Sequence, residues 1–273
     1  FTLLSFLGAP SVAWGVLVTA GFLVLIGSWR RWLAAAAGLV MITFLVAESL
    51  TPGTSWSPYY KVQTRDLVSA GIPLTDISVN GVPHQIMRSA AQRLLEEPQY
   101  GLPYQRSPQN PLRNVLIIGA GSGSDVAIAL AKGAQHIDAV DIDPRIMQLG
   151  VERNPDQPYD DPRVTRHVND GRAFLHSTDT RYDLILFALP DSLALVTGAS
   201  QIRLESFLFT DQALIEARAH LSDVGSFAMY NYYREDWLID RLAGTAQAAF
   251  GHLPCVDLVG NGQAVVSASL DEA

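Results

Sequence analysis

The stretch RNVLIIGAGSGSDVAIALAKGAQHIDAVDIDP, from Arg113 to Pro144, leaves room for few folds. Val115–Ile118 is a short apolar run, as suits a strand buried on both faces. Gly119, Gly121 and Gly123 then end it. Glycines permit a sharp turn and let a ligand lie directly on the backbone. Ser124 and Asp125 can cap the helix that follows, through Lys132. A second apolar strand, Ile137–Val140, ends in Asp141, 22 residues after Gly119. At that offset a carboxylate can grip the two hydroxyls of a ribose. The glycine pattern is GxGxG, because Ser124 stands where a dinucleotide-binding GxGxxG has its third glycine. An adenosyl ligand without a pyrophosphate therefore fits better than NAD. A tight strand-to-helix turn without a ligand is the plainer alternative.

Around this stretch the chain alternates strand and helix. Helix Pro144–Val151, strand Val164–Val168, a turn at Asp170-Gly171 and a short helix ending near His176 come next. Strand Tyr182–Ala188 leads into a long irregular connection, Leu189–Glu205. Helix Asp211–Leu221, strand Ser226–Tyr230, helix Glu235–Phe250 and strands Cys255–Val259 and Ala264–Ala268 follow. Such alternation predicts an α/β fold with a Rossmann-like parallel sheet and ligands at the carboxyl ends of its strands.

Before the organising stretch, Asp76–Val79 and Val82–Met87 flank Asn80-Gly81, a strong two-residue hairpin signal. With a short strand near Lys61–Arg65 they predict a small N-terminal β unit. Met87–Glu97 has helical spacing, with Met87, Ala90, Ala91, Leu94 and Leu95 on one face. Gln99–Pro111, rich in Pro, Gln and Asn, reads as a loop.

The first fifty residues are a different material, with Arg30, Arg31 and Glu48 as their charged side chains. Phe1–Trp29 and Trp32–Ala47 are uncharged runs long enough to span a bilayer or nearly so, and Trp14, Trp29 and Trp32 suit its interfaces. They predict a two-helix transmembrane hairpin joined by a tight SWRRW turn. A signal peptide has one short apolar core after a basic start, and here there are two long ones. The chain begins with Phe and not Met, so further sequence upstream of it is expected. Three parts result: 1–50 a transmembrane hairpin, 51–98 the β unit and a helix, 99–273 the Rossmann-like domain.

The net charge is −8, and the excess acid lies outside the first fifty residues. Phosphate contacts need clustered Lys and Arg, so the chain is read as no nucleic-acid binder. An acidic domain suits a small cationic substrate. The single cysteine, Cys255, excludes an internal disulfide, and the six histidines show no metal-ligand spacing. No metal is expected.

The motifs VLIIGAGSGSD, AVDIDP, DPRV followed by NDGRAFL, and YDLILFALPDS stand in the order found in the spermidine synthase family, which the stretch from Ser57 to Phe250 resembles. SPYYKV and ISVNGVPHQ resemble that family's amino-terminal β unit. The fused apolar helices resemble the bacterial membrane-bound spermidine synthase-like proteins. The resemblance implies a Rossmann-like domain that binds decarboxylated S-adenosylmethionine and moves its aminopropyl group to an amine. Carried over, Gly119, Gly121, Ser122 and Gly123 would line the adenosyl ligand. Asp141, with Ile142 beside it, would hold the ribose; a helix cap before Pro144 is its other reading. Asp170 and Gly171 would lie by the adenine, unless Asp170 only caps the short helix. Gln85 follows the hairpin glycine, one place off the family pattern. Tyr59, Tyr60, Tyr230 and Tyr232 are candidates to meet the amine substrate.

The departures bear on chemistry. Ser122 replaces an acid of the family's glycine loop. Ala188 stands where the family has its catalytic Asp, which leaves Asp191 as the candidate catalytic acid. Aminopropyl transfer is attack of an unprotonated amine on carbon with a sulfonium leaving, so carboxylates are needed to hold cationic nitrogen and to accept a proton. Three readings remain open: a membrane-anchored aminopropyltransferase, a methyltransferase using intact S-adenosylmethionine, which Ser122 favours, and a non-catalytic adenosyl-binding module, which Ala188 favours. The expected partners are a small amine and a membrane, with a homo-oligomer compatible. The expected location is the bacterial inner membrane with the catalytic domain in the cytoplasm, where adenosyl-sulfonium compounds are made. Arg30-Arg31 in a short loop argues for the opposite orientation.

Overall fold

Alternation along one strand explains the layers of the larger unit. In β5 (Asn114–Ile118) the side chains of Val115 and Ile117 join one buried cluster, and those of Leu116 and Ile118 join another on the opposite face. A strand apolar on both faces must lie in the middle of a sheet covered twice. The computed structural model describes residues 7, 9–26, 30–69, 71–107, 111–188, 208–233, 235–260 and 262–271. The chain divides into two units, Phe1–Ile86 and Met87–Ala273.

In the smaller unit, helices α1 (Ser11–Leu25) and α2 (Arg31–Ser49) pack on each other. Gly15 and Gly38 occupy the close approach, where a side chain would run into Leu45 and Thr19. Ser11 Oγ lies 3.0 Å from Ser49 Oγ. Trp32–Ser49 is long and apolar enough to cross a membrane, and the described length of α1 is shorter than that, so among the described residues the expected pair of spans reduces to one candidate span. Trp32, Leu33, Leu39 and Phe44 are exposed. Strands β1 (Thr54–Trp56), β2 (Lys61–Ser69), β3 (Ile72–Val79) and β4 (Val82–Met87) form a sheet in that order. Asn80 and Gly81 turn the β3–β4 hairpin with φ of 50° and 81°, as a type I′ turn requires. Lys61 Nζ reaches Glu48 Oε1 at 2.6 Å, which ties β2 to the end of α2.

In the larger unit, Met87 closes β4 instead of opening a helix. Helix α3 (Ala90–Glu96) starts after Ser89, whose side chain accepts the Gln92 N–H. The expected loop after Gln99 is largely helical: a 3-10 turn at Pro98–Gly101 and helix α4 (Leu102–Arg106). Prolines open both, and Tyr100, Leu102 and Tyr104 pack against the sheet, so buried anchors override the polar composition.

The remaining strands are β6 (His136–Asp141), β7 (Val164–Val168), β8 (Tyr182–Ala188), β9 (Leu221–Tyr232), β10 (Cys255–Gly260) and β11 (Gln263–Ser269). Their order is β10-β11-β9-β8-β5-β6-β7. From β9 to β7 all neighbours are parallel, while β11 runs antiparallel to β9 and to β10. The sheet is thus mixed, not wholly parallel: the short Gly-containing connection after β10 makes a hairpin, which forces antiparallel pairing. Helices α5 (Ser124–Ala131) and α6 (Pro144–Arg153) contribute Val126 and Met147 to one face. Helices α7 (Gly171–Ser177), α8 (Asp211–Ala219) and α9 (Asp236–Phe250) contribute Leu175, Leu214 and Leu242 to the other. The strand order reverses between β5 and β8, the place where ligands settle in open α/β sheets.

Candidate active site

Three glycines after β5 have positive φ: 83° at Gly119, 51° at Gly121 and 88° at Gly123. L side chains rarely adopt such angles, so the sequence GxGxG is what lets this loop form. The turn is anchored to the next strand, because the N–H groups of Gly119 and Ala120 both donate to Val140 O, at 2.9 and 3.0 Å. Asp141 closes the arrangement. Its Oδ2 accepts the Gly121 N–H at 2.7 Å and its Oδ1 accepts the Asp143 N–H at 2.8 Å. The helix cap falls instead to Asp143, whose Oδ1 accepts from Arg145 N and Ile146 N. A carboxylate has the acceptor chemistry that a diol requires. Ile142 is half-buried between the two acids.

Behind the loop stand residues that the sequence did not single out. Tyr159, buried, donates its hydroxyl to Gly121 O at 2.8 Å, and burial beside Asp141 pushes its phenol well above the usual range. The Asn154 amide donates to Ser122 O at 2.8 Å. Gly150 of α6 lets the helix close on the loop: a Cβ there would lie 2.6 Å from Tyr159 Cε2 and 2.7 Å from Ser122 O. Ser122 is itself buried. Asp170 caps α7 by accepting the Ala173 N–H at 2.9 Å, and Gly171 is packed so closely on Ile118 that no side chain would fit. Both lie just after β7, at the same edge of the sheet as the glycine loop.

Ser124 and Asp125 do not cap α5; Gly123 takes the cap position without a side-chain bond. Asp125 turns inward and accepts the Tyr230 hydroxyl. Burial pushes its carboxyl up to about 6, against the pull of Tyr230 and Arg93. Tyr230 is therefore buried with its hydroxyl engaged, while Tyr232 is exposed at the end of β9. Tyr59, Tyr60 and Gln85 belong to the smaller unit. The Ser57 hydroxyl accepts the N–H of Tyr59 and Tyr60, at 3.1 and 2.9 Å, and the Tyr60 ring lies 6.3 Å from that of His84. Asp191 falls outside the described residues. Among the described residues no group of three His, Cys, Asp or Glu could hold a metal ion.

Residues 101–228, which contain the glycine loop, Asp141, Asp170 and Ala188, match the profile described as the spermine/spermidine synthase domain. Residues 101–228 are thus similar to the spermine/spermidine synthase family. The chain is 38% identical over 81 residues to a polyamine aminopropyltransferase of Clostridium perfringens, covering 28% of this chain and 29% of that one. It is 26% identical over 158 residues to the polyamine aminopropyltransferase of Korarchaeum cryptofilum, covering 57% and 47%. The chain thus spans less than half the length of these curated relatives. Among solved structures it resembles a probable spermidine synthase from Corynebacterium glutamicum, with TM-score 0.58, 17% identity and 81% of each chain covered. It also resembles a spermidine synthase in complex with the transition state analogue AdoDATO, with TM-score 0.56, 15% identity, and 78% and 75% covered. These likenesses show the synthase fold.

Asp125 and Tyr159 were legible only faintly. Asp125 is the one charge in the run Asp125–Ala131, where a solvated helix would show several. The PYDDP segment gives no sign that its tyrosine reaches back to the glycine loop.

Proposed function

We propose that the protein is a membrane-anchored, spermidine synthase-like aminopropyltransferase that takes decarboxylated S-adenosylmethionine and a small amine acceptor. The observation that carries this reading is the synthase-family match over residues 101–228, with the Asp141 carboxylate bonded to the Gly121 N–H within it. In this reading Gly119, Gly121, Ser122 and Gly123 bed the adenosyl group, Asp141 and Ile142 meet the ribose, and Asp170 and Gly171 border the adenine. Tyr59, Tyr60, Gln85 and Tyr230 are the candidates to serve the substrates, and Asp191 is the candidate acid of the transfer. The functional parts are 1–50 as anchor, 51–98 as β unit and 99–273 as adenosyl domain. Trp32–Ser49 supplies the span, α1 packs beside it, and the adenosyl domain faces the cytoplasm of a bacterial inner membrane.

The acceptor nitrogen attacks the carbon bonded to sulfur, the C–S bond breaks with its electron pair going to sulfur, and a neutral thioether leaves. Nearby negative charge favours this step because the positive charge moves from sulfur to nitrogen. The test is incubation of the full chain with decarboxylated S-adenosylmethionine and a series of diamines, with mass spectrometry of the products. An aminopropylated amine and 5′-methylthioadenosine are expected. A methylated acceptor from intact S-adenosylmethionine would establish the second reading, which Ser122 favours because it removes an acid that would repel the methionine carboxylate. Binding without any product would establish the third, which Ala188 favours.

A further inference from the structure

Asp125 sits two residues after the glycine loop, at the start of α5, and it is buried. Among the described residues, the following titratable groups face it. Tyr230, from β9, donates its hydroxyl to Oδ1. Arg93 and Glu97 come from α3 and the residue after it and form an ion pair. Arg93 also donates to the Tyr100 hydroxyl at 3.1 Å, with its guanidinium 4.7 Å from that ring. Tyr104 comes from α4, and Tyr159 from beyond α6. Among the described residues two carboxylates thus share one guanidinium, which leaves one negative charge in excess beside the buried Asp125. Such a site either takes up a proton or accepts a cation. The Tyr104 hydroxyl is buried, feels the Asp125 charge and has no hydrogen-bond partner among the described residues.

The cluster lies where chemistry is expected. Tyr230 pairs in register with Ala188, the last residue of β8, and both side chains lie on the face that packs against α5. That is the carboxyl end of β8, beside the point where strand order reverses.

We propose that Asp125 orients and polarises the Tyr230 hydroxyl, and that this pair receives the attacking amine of the acceptor, on the strand next to the acid-less Ala188. The inference rests on the aminopropyl-transfer reading above. Tyr230 is then a catalytic residue and Asp125 a positioning residue. The Tyr230 oxygen accepts a hydrogen bond from the amine and aims the nitrogen lone pair at carbon. As the C–N bond forms and the C–S pair passes to sulfur, nitrogen becomes cationic. Its proton passes to the Tyr230 oxygen while the phenolic proton moves to Asp125, and from there to water.

The experiment measures kcat and KM for a diamine from pH 5 to 8, by release of 5′-methylthioadenosine, with the full chain in detergent. Wild type, Asp125→Asn, Asp125→Glu and Tyr230→Phe are compared, and melting curves at each pH check that each variant is folded. The expected result is a kcat about a hundredfold lower in Asp125→Asn and Tyr230→Phe above pH 7. The ratio of wild type to Asp125→Asn should shrink toward one as pH falls below about 6, because the wild-type carboxyl is then protonated. Asp125→Glu should recover part of the rate. A ratio constant across the pH range, or wild-type kcat in Tyr230→Phe, would overturn the assignment and leave the transfer reading standing. A wild type that releases no 5′-methylthioadenosine at any pH would overturn both.

Discussion

Gly150→Ala is the substitution that best separates the architecture of the loop from the behaviour of an ordinary helix. In an exposed helix interior, alanine stabilises over glycine by about 1 kcal/mol. Here the new Cβ would lie 2.7 Å from Ser122 O and 2.6 Å from Tyr159 Cε2. Ordinary carbon contacts start near 3.5 Å, so the backbone at Ser122 or the helix must give by roughly 0.8 Å. Ser122 O is held by Asn154, and Gly121 O by Tyr159, so the loop cannot move without stretching those bonds. Overpacking of this kind costs about 1–3 kcal/mol, which exceeds the helical gain. The glycine loop should therefore shift, and a misplacement approaching 1 Å can cost about a hundredfold in a positioned site. Calorimetric titration with decarboxylated S-adenosylmethionine, beside thermal melts, reads both effects. We expect affinity to fall at least about tenfold while the melting temperature drops slightly. A variant about 1 kcal/mol more stable with unchanged affinity would refute the claim that α6 and the loop are in contact at Gly150.

Asp141→Ala should weaken the adenosyl ligand by about 1–3 kcal/mol, because it removes the acceptor for the Gly121 N–H together with the bonds to the ribose; equal affinity by calorimetry would take Asp141 out of the site. Asp125→Asn should change the pH dependence of stability. The folded-state value of Asp125 is about 6, above its ordinary 3.8, so the native state holds the proton more tightly and wild-type stability falls as pH rises between those values. Roughly 3 kcal/mol of slope should vanish in Asp125→Asn, and identical denaturation profiles from pH 4 to 7 would show that the carboxyl is not perturbed. Asp183 is buried and accepts from Arg113 N, Asn114 N and the Ser222 hydroxyl at 2.7, 3.2 and 2.8 Å, far along β8 from the glycine loop. Asp183→Ala should cost on the order of 2–4 kcal/mol of stability in urea denaturation while ligand affinity in the folded protein stays the same.

The parallel half of the fold was readable because its signals are local. Val115–Ile118 of β5 and Leu184–Ala188 of β8 are unbroken apolar runs, and the glycines between β5 and α5 are demanded by positive φ. Asn80-Gly81 announced its hairpin for the same reason. What escaped was decided by distant partners. Tyr100 and Tyr104 fold a Pro- and Gln-rich segment into helical turns because the sheet receives their rings, and no local pattern states that. Asp125 looked like a cap because caps are the commonest role of Asp at a helix start. Tyr230, 105 residues away, takes its carboxylate instead. Asp141 and Asp143 are alike in sequence, and only the closing of the loop shows that Asp143 caps the helix while Asp141 holds Gly121. In the first fifty residues, composition predicted two spans, and the described length of α1 leaves one.

The most direct test of the central claim is calorimetry of the purified full chain with decarboxylated S-adenosylmethionine and with S-adenosylmethionine, side by side. We expect binding of the decarboxylated form, weakened by Asp141→Ala, with the intact form bound less tightly. Failure of the wild-type chain to bind either compound would remove the adenosyl site.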